Sequence, residues 1–367
     1  MKIKRVIKWG FLLIVVALGA WSFIAYWMST NDCEKYSRVP TTPIKAIVYC
    51  EYGPPEVLQL RDIEKPTPKE NELLVKVHAA SVNPVDTTYS GGVRIATGLR
   101  KPEVTRFGTD YAGTVEAVGE KVTQFKPGDE VFGGKTGALA EYVCVREDRS
   151  VVLKPANVSF AEAAAVPVAA ITALQGLRDK GKIQAGQKVL VNGASGGVGT
   201  FAVQIAKALG ADVTAVCSGK NAEMVRLIGA DRVIDYTKED FTAGGEHYDM
   251  IFDIVGNHSF GERRRILNPN GICVMAGVGG AGWHDEFFGR LFGELKAYIA
   301  SRFVKQKFVA YIAEFNKADM TVLRDLIQAG KIKPVIDRTF PFTQVPEAVR
   351  YLETGHAHGK VVVTVSE

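Results

Sequence analysis

The feature that most constrains the fold is a glycine-rich turn between a strand pattern and a helix pattern. The apolar run Val189–Val191 leads into Ala194-Ser-Gly-Gly-Val-Gly199, and a helical pattern follows through Val203 and Ile205. Glycines let the backbone approach a bound phosphate closely, and the free amides at a helix start face negative charge. This order predicts a binding turn for the pyrophosphate of a dinucleotide.

After residue 161 strand and helix patterns alternate. Helical patterns lie at Val203–Leu209 and Ala222–Ile228. The strand patterns are Lys188–Asn192, Asp212–Cys217, Arg232–Ile234, Met250–Asp253, Ile272–Ala276 and Phe308–Ile312. Such alternation predicts an α/β fold with a parallel, doubly wound sheet, which we place at residues 161–315.

The residues before this region, 44–160, carry a different pattern. Short strand-like runs bounded by glycine or proline recur, as at Glu72–Val77 and Gly113–Val118, and they predict a compact, mostly β domain. The tail, 316–367, contains a helix pattern and a closing strand pattern at Lys360–Val365. We expect this tail to return to the β domain.

The N-terminus predicts one transmembrane helix. Residues 9–28 form an uncharged apolar run of the length that spans a bilayer core of about 30 Å, with tryptophan and tyrosine near both ends. The alternative is a cleaved signal peptide with a small-x-small site at Ala17–Gly19, but cleavage there would leave a strongly apolar new terminus. We favour an uncleaved, single-pass membrane anchor, followed by a polar linker at residues 29–43.

Composition limits the remaining possibilities. The chain is 47% hydrophobic and 23% charged with a net charge of +5, and no basic block or aromatic-interleaved basic stripe suggests nucleic acid. Its five cysteines show no CxxC pair and no metal-ligand spacing: Cys33, Cys50, Cys144, Cys217 and Cys273. We expect small, buried thiols in a reducing compartment.

Two questions stay open at this stage. Basic residues before the apolar run favour a globular part that faces outward. The cysteines without an obvious pairing, and the dinucleotide expected at the glycine-rich turn, favour the reducing, cytosolic side instead. The segment 283–307 has apolar residues at helical spacing with basic residues between them. This pattern favours a helix that packs on a domain or covers a pocket as a lid, rather than a helix that lies on a membrane.

These motifs resemble the zinc-independent medium-chain dehydrogenases/reductases of the quinone oxidoreductase type, with the mitochondrial reticulon-interacting reductases as a near branch. The resemblance extends from Lys45 to Val365. It is carried by the turn and its flanks, and by Ser81–Asp86, Gly108–Gly113, Gly229–Asp231, Asp235-Tyr236 and Gly355–Lys360. It implies a GroES-like catalytic domain, a Rossmann domain, and a homodimer formed through the Rossmann sheets.

The end of the second parallel strand favours a phosphorylated cofactor. NAD enzymes place an acid there, whereas this chain has Ser218, followed by the cation of Lys220 and the amide of Asn221. Tyr236 matches the family position that flanks the same 2′-phosphate. NADPH is therefore the predicted cofactor. The predicted contacts are Thr172, Ala194, Ser195, Gly196, Gly197, Val198, Ser218, Lys220, Asn221, Tyr236, Val255, Gly277 and Lys360.

The same comparison predicts no bound zinc. Zinc alcohol dehydrogenases have a cysteine where this chain has Asn83, and a histidine and glutamate where it has Thr109 and Asp110. Zinc needs thiolate, imidazole or carboxylate ligands, usually three from protein. The pair His356 and His358 is more typical of a surface loop than of a metal site.

Without a Lewis acid, the protein suits an acceptor that is already activated, such as a quinone or an α,β-unsaturated carbonyl. We predict that Asn83 donates a hydrogen bond to the developing oxyanion, with Asp86 nearby as the second catalytic residue. The alternative for both is a structural role in fixing the turn and capping the next helix. An NADPH-binding interaction protein with little turnover is the alternative function.

Overall fold

The computed structural model describes residues 32–91, 101–102, 105–276 and 304–366. The predicted anchor at 9–28, the predicted contact Gly277 and most of the segment 283–307 lie outside these residues. Among the residues described, no helix has both the length and the apolar character needed to cross a bilayer.

The first part of the chain is mostly β. A two-stranded antiparallel sheet pairs β1 with β2, and the larger sheet starts with the long strand β3. The elements are β1 (Pro43–Val48), β2 (Gln59–Glu64), β3 (Glu72–Val82), α1 (Pro84–Gly91), β4 (Asp110–Val118), β5 (Glu130–Gly134), β6 (Tyr142–Arg146) and β7 (Val151–Leu153).

The middle part confirms the parallel, doubly wound sheet. Its six strands have the order β10-β9-β8-β11-β12-β13, and all neighbours are parallel. The elements are α2 (Phe160–Ala164), α3 (Pro167–Leu174), a π turn (Gln175–Lys180), β8 (Lys188–Asn192), α4 (Gly197–Ala208), β9 (Asp212–Cys217), α5 (Ala222–Leu227), β10 (Arg232–Asp235), β11 (Tyr248–Asp253), α6 (Phe260–Arg265), β12 (Leu267–Ala276) and β13 (Lys307–Tyr311). Val189–Val191 are fully buried, as expected for a strand covered on both faces.

The last part returns to the first sheet. Its elements are α7 (Lys317–Gln328), β14 (Ile336–Pro341), α8 (Val345–Glu353) and β15 (Lys360–Thr364). The larger sheet has the order β14-β15-β3-β4-β5-β7, with β6 also paired to β3. Because β15 and β4 both run antiparallel to β3, the start of each lies beside the end of β3, with Val361 opposite Val82 and Ser81 opposite Asp110.

One expectation about the cysteines is wrong. Cys33 and Cys50 form a disulfide across a sequence separation of 17 residues, whereas Cys217 and Cys273 are buried. The pairing depends on how the chain before β1 folds back on the β domain, which no local spacing reveals. Part of the predicted linker therefore packs on this domain: Asp32–Ser37 form a 3₁₀ helix, and Tyr36 is buried.

Candidate active site

The glycine-rich turn follows the end of β8 and opens α4. Gly193 has φ +88°, a conformation that L side chains rarely adopt. A Cβ built at Gly199 would lie 2.1 Å from the Gly193 oxygen, so strand and helix can meet this closely only with glycine there. The amides of Gly193 and Ala194 donate to the Val216 carbonyl, which fixes the turn to the end of β9.

The start of α4 is suited to hold a phosphate. Gly196 is the N-cap residue and has no side chain to accept from the first helical amides, including those of Gly197 and Val198. A Cβ at Gly196 would find its nearest atom 3.5 Å away, so the space in front of the helix is open. These two properties fit the pyrophosphate of a dinucleotide.

A buried ionic network beneath the turn holds the strand ends in place. Asp253, at the end of β11, accepts hydrogen bonds from the Asn192 side chain and from the backbone of Val255 and Gly256. Its other oxygen lies 3.1 Å from Nη1 of the buried Arg263. Asn192, Asp253 and Arg263 were not predicted from the sequence; a carboxylate at the end of an apolar strand was the available signal.

Polar side chains meet where β9 ends. The Asn221 amide nitrogen lies 3.1 Å from Ser195 Oγ, from Ser218 Oγ and from His358 Nδ1. Lys220, beside them, is exposed. Three predicted contacts, Ser195, Ser218 and Asn221, are thus brought together, and His358 joins them although the sequence analysis gave it no role.

The other predicted contacts lie around this region with different exposures. Tyr236 follows β10 and is 54% exposed, whereas Val255 packs beside Gly193, since a Cβ on that glycine would be 2.8 Å from Val255 Cγ2. Thr172 lies in α3, where its hydroxyl donates to the Val168 carbonyl at 2.7 Å. The threonine oxygen keeps lone pairs for a ligand, but its proton is used within the helix.

The predicted catalytic pair belongs to a buried polar cluster at the end of β3. The cluster comprises Ser81, Asn83, Asp86, Thr109, Asp110 and Lys360, all of them buried. Asp110 accepts from Ser81 Oγ at 2.8 Å and from Asn83 Nδ2 at 2.9 Å, and its carboxylate lies 3.3 Å from Lys360 Nζ. Lys360 also donates to Asn83 Oδ1.

Asn83 and Asp86 also have the structural role that the sequence analysis kept open. The Asn83 backbone amide donates to Asp86 Oδ2 at 2.8 Å, in the manner of a helix capping box at the start of α1. The Asn83 side-chain amide donates to Asp110 and, at 3.4 Å, to Asp86. Both hydrogens of this amide are thus used within the cluster, and the predicted donation from Asn83 to a substrate oxygen stays a prediction.

The carboxyl of Asp86 has a pKa that is raised into the neutral range. Burial raises the pKa of its carboxyl to about 7, and the nearby Asp110 adds to this, while the Thr109 hydrogen bond opposes it. Thr109 Oγ1 donates to Asp86 Oδ1 at 2.5 Å. Asp86 and Thr109 line one small cavity together with Tyr49, Arg106, Phe107, Gly108 and Thr136.

Lys360 connects the two parts of the site. It was predicted to bind the cofactor, and the structure places its amine in the catalytic cluster. Its stem also passes the glycine-rich turn, because a Cβ at Gly197 would lie 3.1 Å from Lys360 Cδ. The side chain of Lys360 therefore joins the turn to the cluster.

The donor set does not fit zinc. Within the described ranges, His, Cys, Asp and Glu side chains form no group of three or more that could hold a metal. At the positions of the zinc ligands, Asn83 and Asp110 bond to each other and to the buried ammonium of Lys360. The Lys360 ammonium already pairs with the Asp110 carboxylate and would repel a metal cation bound there.

Fold and site together define a two-domain, dinucleotide-dependent oxidoreductase. Residues 69–156 match the family model described as alcohol dehydrogenase GroES-like domain, and residues 228–363 match the one described as zinc-binding dehydrogenase. The chain belongs to the quinone oxidoreductase-like family of medium-chain dehydrogenases/reductases. The name of the second model refers to zinc, whereas this chain has Asn83, Thr109 and Asp110 at the positions of the zinc ligands.

Named relatives support this assignment. The chain is 38% identical to the human mitochondrial NAD(P)H oxidoreductase RTN4IP1, over 96% of this chain and 98% of that protein. It is 36% identical to the chloroplastic NADPH-dependent alkenal/one oxidoreductase of Arabidopsis thaliana, over 87% of this chain and 79% of that protein. The quinone oxidoreductase structure from Coxiella burnetii matches with a TM-score of 0.75 and 30% identity, over 89% and 100% of the two chains.

The contact at Gly199 yields a test of the turn. We expect Gly199→Ala to lower the melting temperature by several degrees, because its Cβ would lie 2.1 Å from a backbone oxygen. Gly196→Ala is the matched control, since its Cβ meets nothing closer than 3.5 Å. Calorimetry on both variants measures the effect. Equal melting temperatures for the two would contradict the close approach.

Proposed function

We propose that the protein transfers hydride from NADPH to a quinone or an α,β-unsaturated carbonyl without zinc. The observation that carries this proposal is the buried cluster of Asn83, Asp86, Asp110 and Lys360 beside a dinucleotide turn. The cluster replaces metal ligands with groups that donate hydrogen bonds and hold protons. An acceptor that carries its own activation needs no more than this.

NADPH is the cofactor. The amides of Gly197 and Val198 would hold its pyrophosphate, and Gly196, whose own amide donates to the Gly193 carbonyl, would leave room for it. Ser218, Lys220, Asn221 and Tyr236 would surround the 2′-phosphate. Ala194 and Ser195 shape the turn, while Thr172 and Val255 are proposed contacts toward the nicotinamide end. When bound, NADPH supplies the hydride.

Asp86 and Thr109 are positioned to deliver the proton. A hydride added to an enone or quinone leaves negative charge on the substrate oxygen, which needs a hydrogen-bond donor. When Asp86 is protonated, the Thr109 hydroxyl would turn from Asp86 Oδ1 toward the substrate oxygen, donate its proton there, and accept the Asp86 proton across the same 2.5 Å contact.

Steady-state NADPH oxidation with a panel of quinones, enones and simple alcohols or ketones tests the function. We expect turnover with quinones or enones and none with unactivated ketones, because no Lewis acid polarises the carbonyl. NADPH binding measured by calorimetry serves as the control for a competent cofactor site. Tight binding without turnover on any acceptor would overturn the proposal in favour of a binding protein.

Asp86 gives the proposal a pH signature. The pKa of Asp86 is raised to about 7, so the group is protonated below that pH and loses its proton above it. Turnover should therefore fall as pH rises through 7. Asp86→Asn should lower kcat by about 100-fold and remove this pH dependence, because the amide keeps the shape but carries no transferable proton.

The matched control for Asp86→Asn is Asp148→Asn, at an exposed carboxylate paired with Arg146. It should leave kcat and the pH profile unchanged. An Asp86→Asn variant with the kcat of the unmodified protein would show that the proton comes from another group or from water.

We further propose that residues 9–28 anchor the protein in a membrane, with the catalytic domain on the oxidising face. The apolar length of this run and the basic residues before it support a single-pass anchor. The disulfide between Cys33 and Cys50 removes the cysteine argument for a reducing compartment, because such bonds persist under oxidising conditions.

Membrane fractionation tests the anchor. The full chain should stay in the pellet after alkaline carbonate extraction, and a variant lacking residues 1–31 should move to the supernatant. In intact membranes, a maleimide reagent should shift Cys33 and Cys50 only after reduction, with Cys33→Ser/Cys50→Ser as the control. A full chain released by carbonate would contradict the anchor, and a shift without reduction would contradict the oxidising face.

Domain limits and assembly complete the proposal. We propose a catalytic domain at 44–160 joined by 316–367, and a Rossmann domain at 161–315, supported by the two separate sheets. The proposed homodimer joins two Rossmann sheets. Strand β13 ends that sheet among the strands described, so its outer edge is the natural place for a second copy to pair.

A further inference from the structure

The loop Gly355–Lys360 reaches both ends of the cofactor site. Lys360 lies in the catalytic cluster, and His358, two residues earlier, lies beside Asn221 where β9 ends. Gly359 between them has φ +116°, and a Cβ there would be 2.4 Å from the Val335 oxygen. The loop conformation is therefore fixed by glycine, and the direction of His358 is fixed with it.

His358 joins a group of side chains that is rich in hydrogen-bond donors. Asn221 Nδ2 has two hydrogens but lies 3.1 Å from each of three partners, Ser195 Oγ, Ser218 Oγ and His358 Nδ1. The three atoms therefore compete for two hydrogens. An anion placed here would accept from the amide and both hydroxyls and would resolve that competition.

The charges around His358 also favour an anion. Burial lowers the pKa of His358, and the Lys220 cation lowers it further, as do His356 and Arg338, while Asp337 opposes them. One carboxylate oxygen of Asp337 already accepts two hydrogen bonds, from the His358 backbone amide at 2.9 Å and from the Tyr351 hydroxyl at 2.6 Å. The cations of Lys220 and Arg338 near a histidine create a local positive potential.

We propose that His358 is a ligand of the 2′-phosphate of NADPH and sets the preference for NADPH over NADH. The inference rests on the proposed function for the identity of the cofactor. His358 comes from the loop before β15, a strand of the larger, mostly antiparallel sheet, whereas Ser218, Lys220 and Asn221 follow β9, a strand of the parallel sheet. Binding of the 2′-phosphate would thus draw groups from both sheets onto one ligand.

The charge of the ligand sets the direction of the pH effect. A phosphate dianion beside His358 favours the imidazolium, so the complex takes up a proton from solvent that the free protein does not hold. The advantage of the phosphorylated ligand should therefore increase as pH falls from 8 toward 6.5, the ordinary pKa of histidine.

Calorimetric titration with 2′,5′-ADP and with 5′-AMP tests the inference, because the two ligands differ only in the 2′-phosphate. We expect His358→Ala to weaken 2′,5′-ADP binding about tenfold at pH 7, the size of one hydrogen bond to a charged group, and to leave 5′-AMP binding unchanged. His358→Lys, which keeps a cation, should retain the affinity but lose its pH dependence. His247→Ala, at an exposed histidine directly before β11, is the matched control and should behave as the unmodified protein.

The outcomes separate this inference from the proposed function, since neither ligand carries a nicotinamide and no turnover is measured. Unchanged 2′,5′-ADP binding by His358→Ala would overturn the role of His358 and leave the reductase function standing. An equal loss for both ligands would assign His358 to loop structure and would also overturn the inference. Selective loss of 2′,5′-ADP binding would support it even in a protein that reduces no acceptor.

Discussion

The buried contact among Lys360, Asp110 and Asn83 is the constraint on which the site depends. Each residue lies at a strand end: Asn83 directly after β3, Asp110 at the start of β4 and Lys360 at the start of β15. The antiparallel pairing of β3 with both neighbours makes these three ends adjacent. An isolated buried ammonium is costly, so Lys360 requires the carboxylate and the amide oxygen that these two strands supply.

The same three strand ends explain how this fold supports chemistry without a metal. Where a zinc enzyme concentrates positive charge on an ion, this chain places the Lys360 ammonium against Asp110 and balances it there. Asp86 accepts hydrogen bonds from the Asn83 backbone amide and the Thr109 hydroxyl, and its burial raises the pKa of its carboxyl to about 7. In the proposed reduction, a carboxyl with this pKa would serve as a proton carrier near neutral pH.

Local pattern was sufficient for the parallel sheet and insufficient for contacts between distant segments. The runs at Lys188–Asn192 and Asp212–Cys217 were predicted with the limits that the structure gives, because fully buried strands are uniformly apolar. Asn83 and Asp86 were predicted as site residues through the short motif Ser81–Asp86. The meeting of Lys360 with Asn83, 277 positions apart, and the pairing of Cys33 with Cys50 depend on topology, which no short window contains.

In the proposed function, the loop Gly355–Lys360 would connect cofactor recognition with catalysis, because it carries both His358 and Lys360. Its glycine, Gly359, is held against Val335, and the Lys360 amide donates to the same Val335 carbonyl at 2.8 Å. A shift of His358 toward or away from Asn221 would therefore also displace the start of β15, which carries Lys360. Lys360 contacts Asn83 and Asp110. Binding of the 2′-phosphate beside His358 would therefore change the position of the cluster that contains Asp86. A cofactor that lacks the 2′-phosphate would leave this loop without one of its contacts, and the catalytic cluster would be less firmly held.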